Sequence, residues 1–277
     1  MNSFAYDEIG YWSEVKLEII RNYASAYSKI LNTQKAIRKH IYIDGFSGAG
    51  KHVSKRTGEF VSGSPLNALE VSPAFKEFHF IDLHGGKARE LRKLAHGRTD
   101  VFVYEGDSNQ ILLNKVFPRC RYEDFHRALC LLDPYALNVQ WNVLETAGKM
   151  KTVEIFYNFM IMDANMNVFW RNPDKVDARQ AARMDTVWGN HSWRQAAYRK
   201  EPGLFGDIEE KADNEAVAEA FRARLKRVAG FKYVPKPVPM RNAKGAIVYY
   251  LFFASPNATG AGIVEAIFNK YRKTGIK

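Results

Sequence analysis

The chain has 277 residues, 46% hydrophobic and 26% charged, with 41 Lys and Arg set against 30 Asp and Glu. That mixture excludes a disordered or fibrous protein and provides for one large α/β core. A net charge of +11 and a pI near 9.5 are the footprint of an anionic partner, nucleic acid first among them.

From Trp12 to about Leu31 apolar residues recur every three or four positions, which predicts a helix with Lys16, Glu18, Arg21 and Lys29 mostly on its polar face. Ile41-Tyr42-Ile43 reads as a buried strand that ends in the turn Asp44-Gly45-Phe46-Ser47-Gly48-Ala49-Gly50. Residues 51–64 are basic and rich in Gly and Ser, a loop, and Ser64-Pro65 opens a short helix. Strands at 78–82, 101–104, 128–132 and 153–162 then alternate with helices at 87–95, 108–116 and 141–147. This rhythm implies a mostly parallel sheet with helices on both faces. Residues 163–206 break it and read as a helical insertion or lid within a single 1–277 domain. Residues 209–229 predict a helix. The segments 231–240 and 247–254 predict a hairpin around Asn242-Ala243-Lys244-Gly245, and a last helix runs to Tyr271. The expected fold is therefore Rossmann-like, with seven strands and an antiparallel one from the last hairpin.

Cys120 and Cys130 are too few for a disulfide framework or a four-thiolate metal centre, and Cys130 within a strand reads as an inert buried thiol. The seven histidines show no metal-ligand spacing. No signal peptide and no run of roughly 18 apolar residues is present, so a soluble, cytoplasmic protein is expected.

Ligands of open parallel sheets gather at the carboxyl ends of the strands, and an acid stands at four such ends: Asp44, Asp82, Asp107 and Asp133. The glycines of the first turn let a ligand approach the backbone. Its spacing fits neither a phosphate loop nor the dinucleotide fingerprint, and the leading Asp44 repels pyrophosphate while suiting a cation. S-adenosyl-L-methionine meets that requirement. Its sulfonium and amino groups would lie at Asp44, Gly45, Phe46, Ser47, Gly48 and Gly50, its ribose hydroxyls at Asp82, and its adenine at Asp107 and Ser108. Taken singly, each Asp also reads as a helix cap or loop brace.

Asp133-Pro134-Tyr135 resembles the Asp/Asn-Pro-Pro-Tyr motif of methyltransferases acting on adenine or cytosine amines, with one Pro fewer. The resemblance implies that Asp133 and the Pro134 turn hold an amine while Tyr135 stacks on an extruded base. A structural reading makes Asp133 a helix cap and packs Tyr135 on the sheet. His191 with Trp188 and Trp193 reads as ordinary core packing in preference to a base-stacking platform, and the basic segments 171–200 and 222–227 as phosphate contacts.

Over nearly its whole length the chain also resembles the three-Cys-motif partner proteins. The likeness rests on Lys16-Leu17-Glu18-Ile19-Ile20, the Asp44 to Gly50 turn, Gly63-Ser64-Pro65, Phe80-Ile81-Asp82, Asp133-Pro134-Tyr135 and the ending Tyr249 to Ser255. Ala49 and Ala136 depart from that family's pattern. Membership implies a class I methyltransferase-like fold and a genetic pairing with a radical-SAM-like protein carrying three cysteines. The expected activity is S-adenosylmethionine-dependent methylation of DNA or RNA at an exocyclic base nitrogen. The alternatives are a catalytically inactive nucleic-acid-binding partner, and methylation of a protein or small molecule.

Overall fold

The computed structural model describes residues 6–203 and 206–273. Seven strands form the central sheet: β1 (Lys39–Asp44), β2 (Glu77–Asp82), β3 (Val101–Glu105), β4 (His126–Leu132), β5 (Val153–Phe159), β6 (Val238–Arg241) and β7 (Ile247–Ala254). Across the sheet they run β6-β7-β5-β4-β1-β2-β3. The first five are mutually parallel, and β7 lies antiparallel between β5 and β6. This is the Rossmann-like class I methyltransferase order, reversing at β1.

Side chains alternate across each strand, so the long apolar runs feed two cores. Tyr42, Phe78, Phe80, Leu129, Leu131, Phe156, Leu251 and Phe253 face the first helix (Tyr11–Thr33) and the last (Ala258–Lys273). Ile41, Ile43, Ile81, Cys130, Leu132, Ile155, Tyr157 and Phe252 face the helices Trp141–Met150 and Asn214–Arg227. The hairpin between β6 and β7 turns where expected: Asn242 accepts from the amides of Lys244 and Ala246, and Gly245 has φ +81°.

Two segments differ from expectation. Residues 51–64 are not a plain loop. Lys51–Ser54 and Phe60–Ser62 pair antiparallel, and Glu8–Ile9 adds a parallel strand to them. Gly58 at φ +73° closes their tip, and a strand this short and basic carries no periodicity to read. The segment 163–206 holds the helices Ala178–Trp188 and Trp193–Ala197, but it then enters a β-hairpin of Tyr198–Gly203 with Gly206–Lys211. Trp188 and Trp193 are buried in the core against Phe159, Phe169 and Phe221.

Candidate active site

The first turn hangs from the end of β1 at the reversal point. Ser47 ties it to β2: its amide donates to the Ile81 carbonyl (2.9 Å), and its Oγ accepts from the Ile81 amide (3.0 Å). Asp44 is fully buried and lines no cavity. Its Oδ1 accepts from the Phe46 amide, whereas its Oδ2 has no hydrogen-bond partner. Burial pushes this carboxyl up to about 7. The nearby Ser64 hydroxyl tempers the shift, yet it closes no hydrogen bond to Oδ2. Asp82 spans two backbone donors, with Oδ2 taking the Gly48 amide (2.9 Å) and Oδ1 the His84 amide (2.8 Å). Gly50 is buried at φ +82° against Leu91 and Leu94. Asp44, Gly50 and Asp82 therefore shape the turn without lining either cavity beside it.

Two cavities flank that turn, and Phe46 lines both. The larger, about 430 Å³, is walled by Gly45, Leu83, Asp107, Ser108 and the insertion helix at Arg183 and Val187. Asp107 caps the helix beginning at Ser108 by accepting from the Gln110 amide (2.9 Å). Ser108 Oγ is buried without a partner, and a Cβ on Gly45 would stand 2.8 Å from it. Leu83, directly after the β2 acid, is 72% exposed at the mouth.

The smaller cavity, about 210 Å³, is walled by Ser47, Gly48, Asp133, Pro134 and Tyr135 together with Lys16, His52 and Tyr249. Asp133 does not cap a helix. Its Oδ2 accepts from Lys16 Nζ and its Oδ1 from Asn158 Nδ2. Lys16 is only 7% exposed, which corrects its expected place on the polar face. The signal was available, since Lys16 falls on the same stripe as Ile19, Ile20 and Tyr23. Burial, and then Lys16, push the His52 imidazole below its ordinary value, so it is neutral at pH 7.

Tyr135 is 69% exposed, and its ring is not packed on the sheet. Its hydroxyl donates to Asp7 (2.9 Å) and accepts from Lys87 (3.2 Å), while Lys87 also bonds Asp7 (2.6 Å). His52, Asn158, Asp7 and Lys87 are brought to the strand ends only by the folded chain, and so is the meeting of Lys16 with Asp133.

Several basic residues expected to meet phosphate are used internally. Arg222 and Arg224 bond the carbonyls of Val234 and Trp188, and Arg224 lies 4.5 Å over the Trp141 ring. Arg183 pairs with Asp163, and Arg194 with Asp174 and Glu209.

No protein-family model and no curated protein matches the chain. Among solved structures it is similar to a Legionella pneumophila protein of the family DUF519, at 12% identity and a TM-score of 0.52, covering 92% of this chain and 91% of that one. That likeness shows the fold. A candidate S-adenosylmethionine-dependent methyltransferase from Listeria monocytogenes matches at 12% identity and a TM-score of 0.40, covering 84% and 99%. A candidate methyltransferase from Thermobifida fusca matches at 13% and 0.40, covering 86% and 81%. The strand order, with its antiparallel β7, gives the chain the class I methyltransferase-like fold.

Proposed function

We propose that the protein is an S-adenosyl-L-methionine-dependent methyltransferase acting on nucleic acid, at an exocyclic nitrogen of a base. The observation that carries this reading is the pair of cavities sharing Phe46. One is walled by Asp107 and the orphaned Ser108 hydroxyl, the other by Asp133-Pro134-Tyr135.

The residues fit the cofactor. Gly45 leaves backbone-close space beside Ser108, and the Asp44 Oδ2 beneath the turn is buried without a partner, so a cation bound above it would favour its ionised form. Asp107 and Ser108 would hold the adenine, Asp82 would brace Gly48 from beneath the turn, and Phe46 to Gly48 would flank the methionine end. Bound there, the cofactor supplies a methyl group on a positively charged sulfur. An acceptor nitrogen held at Asp133 would have to give up a proton to a neighbouring base once methylated. Asp133 would orient the amine through the oxygen lone pairs left beside Lys16 and Asn158, and neutral His52 stands in the same wall to take the proton. Tyr135 would stack on the base after leaving Asp7, with residues 163–206 as the lid.

We further propose membership of the three-Cys-motif partner family, a radical-SAM-like partner carrying three cysteines, and a cytoplasmic location. The inactive nucleic-acid-binding partner stays as the second reading, because Lys16 and Asn158 each already occupy one oxygen of Asp133. Calorimetry with S-adenosylhomocysteine and tritium-methyl transfer to DNA, RNA and protein separate the two. Transfer to nucleic acid that Asp133→Ala abolishes, with cofactor affinity kept within a few-fold, supports the enzyme. Cofactor binding without transfer to any acceptor supports the scaffold.

A further inference from the structure

The opposite end of the sheet, where the parallel strands begin, carries a different surface. Lys35, Arg38, Lys151 and Lys232 are exposed there, and none is in an ion pair with a carboxylate of a described residue. The local acids are mostly spent: Arg121 holds Asp124 through two bonds, Glu77 is held by Lys39, Arg119 and His79, and buried Glu154 accepts from Tyr23 and Ser255, leaving Glu123 exposed.

Cations here stand over aromatic rings. Arg127 lies 4.6 Å from the Tyr122 ring centre, Arg38 5.7 Å from Phe125 and Lys232 5.5 Å from Tyr233. Tyr122 and Phe125 are 58% and 44% exposed. A cavity of about 530 Å³ lies at the same end, lined by Tyr233, Arg127, Lys151, Glu154 and Tyr27, whose hydroxyl is buried without a partner. The two non-glycine residues of positive φ among those described, Phe125 and Lys151, both at +58°, lie at this same end. A bulky Phe held there is strained, and such outliers concentrate at binding surfaces.

We propose that this end of the sheet is a second, non-catalytic site for single-stranded nucleic acid. Lys35, Arg38, Lys151 and Lys232 meet its phosphates, and the Tyr122, Phe125 and Tyr233 rings meet its bases. Unpaired cations interleaved with exposed rings match a strand whose bases are free to stack, better than a duplex or an acidic protein surface without rings. The proposal shares the nucleic-acid partner with the function proposed above and rests on none of its chemistry.

The test is fluorescence anisotropy of a labelled 20-nucleotide RNA and DNA strand across a salt series, with the full chain. Wild type is compared with K35Q/R38Q/K151Q/K232Q and with K51Q/K55Q at the cofactor end, each checked for an unchanged melting curve. The four-site variant is expected to bind at least about tenfold more weakly at moderate salt, and to lose about 0.7 of log–log slope per contact. Unchanged affinity and slope would overturn the proposal. So would loss confined to K51Q/K55Q, or a wild type that binds no strand at low salt. Cofactor titration, read separately, decides the catalytic reading.

Discussion

Asp82 shows how one carboxylate joins the turn to its ligand. Both oxygens already take a backbone amide, so it holds Gly48 in place whether or not a ribose is present. Asp82→Asn removes the charge and turns one acceptor into an NH2 donor facing a backbone amide, which loosens the turn at Gly48 or His84. Cofactor affinity should fall by about 1–3 kcal/mol, roughly five- to 150-fold, with a comparable loss of stability. Calorimetry and thermal melting measured on the same preparation check the split. Lys16 presents the converse case, a buried cation whose Asp133 partner is half-exposed. Lys16→Met leaves that carboxylate without its counter-charge, and about 3 kcal/mol of stability should go with it. Urea unfolding that shows no shift in midpoint would contradict this account of the pair.

Among elements, the helix Trp141–Met150 is fixed by its fit to the chain after Asn214–Arg227. A Cβ on Gly148 would stand 2.1 Å from the Ala229 carbonyl oxygen, a backbone atom that cannot rotate aside. Gly148→Ala should therefore destabilise by about 3 kcal/mol despite its gain in helix propensity. The expected fall in melting temperature is about 5 °C. The small sheet of Glu8–Ile9 with residues 51–62 is the other decisive element. It carries His52 to the cavity wall, and beside it Asp7 reaches Tyr135.

Over the whole molecule, buried titratable groups oppose one another. Burial pushes Asp44 and Glu154 up to about 7, so the native state keeps two protons that the unfolded chain loses near pH 4. Their stabilisation is present in acid and lost as pH rises toward 7. Burial pushes His40 down to about 4 and lowers His52 and His79, so the unfolded chain binds these protons first and stability rises with pH up to about 6.5. Burial would raise Glu77, but hydrogen bonds from His79, Arg119 and Lys39 outweigh it, so its window lies below the others. The two trends offset between about pH 5 and 6.5. Above that only the carboxyls act, and stability should fall by about 1–1.5 kcal/mol to pH 7.5. Chemical unfolding across that range tests it, and D44N/E154Q should flatten the decline.

What the sequence by itself determined is the sheet and its reversal point. Runs such as Ile41-Tyr42-Ile43 and Ala128 to Leu132 read as buried strands, and Asp44 and Asp133 are legible as the acids at which those apolar runs end. Asp107 and Ser108, the glycine turn and Asp133-Pro134-Tyr135 could thus be set at one sheet edge from order alone. The tertiary structure decided which of these residues line a cavity and what stands opposite them. Lys16, His52 and Asn158 come from a helix, a hairpin and a neighbouring strand far apart in the chain. Their meeting at Asp133 and the glycine turn depends on packing across both faces of the sheet, which local periodicity does not encode. The basic residues divide for the same reason. Charge counts Arg224 and Arg38 alike, but one is half-buried, stacked on Trp141 and bonded to the Trp188 carbonyl, and the other stands exposed over Phe125.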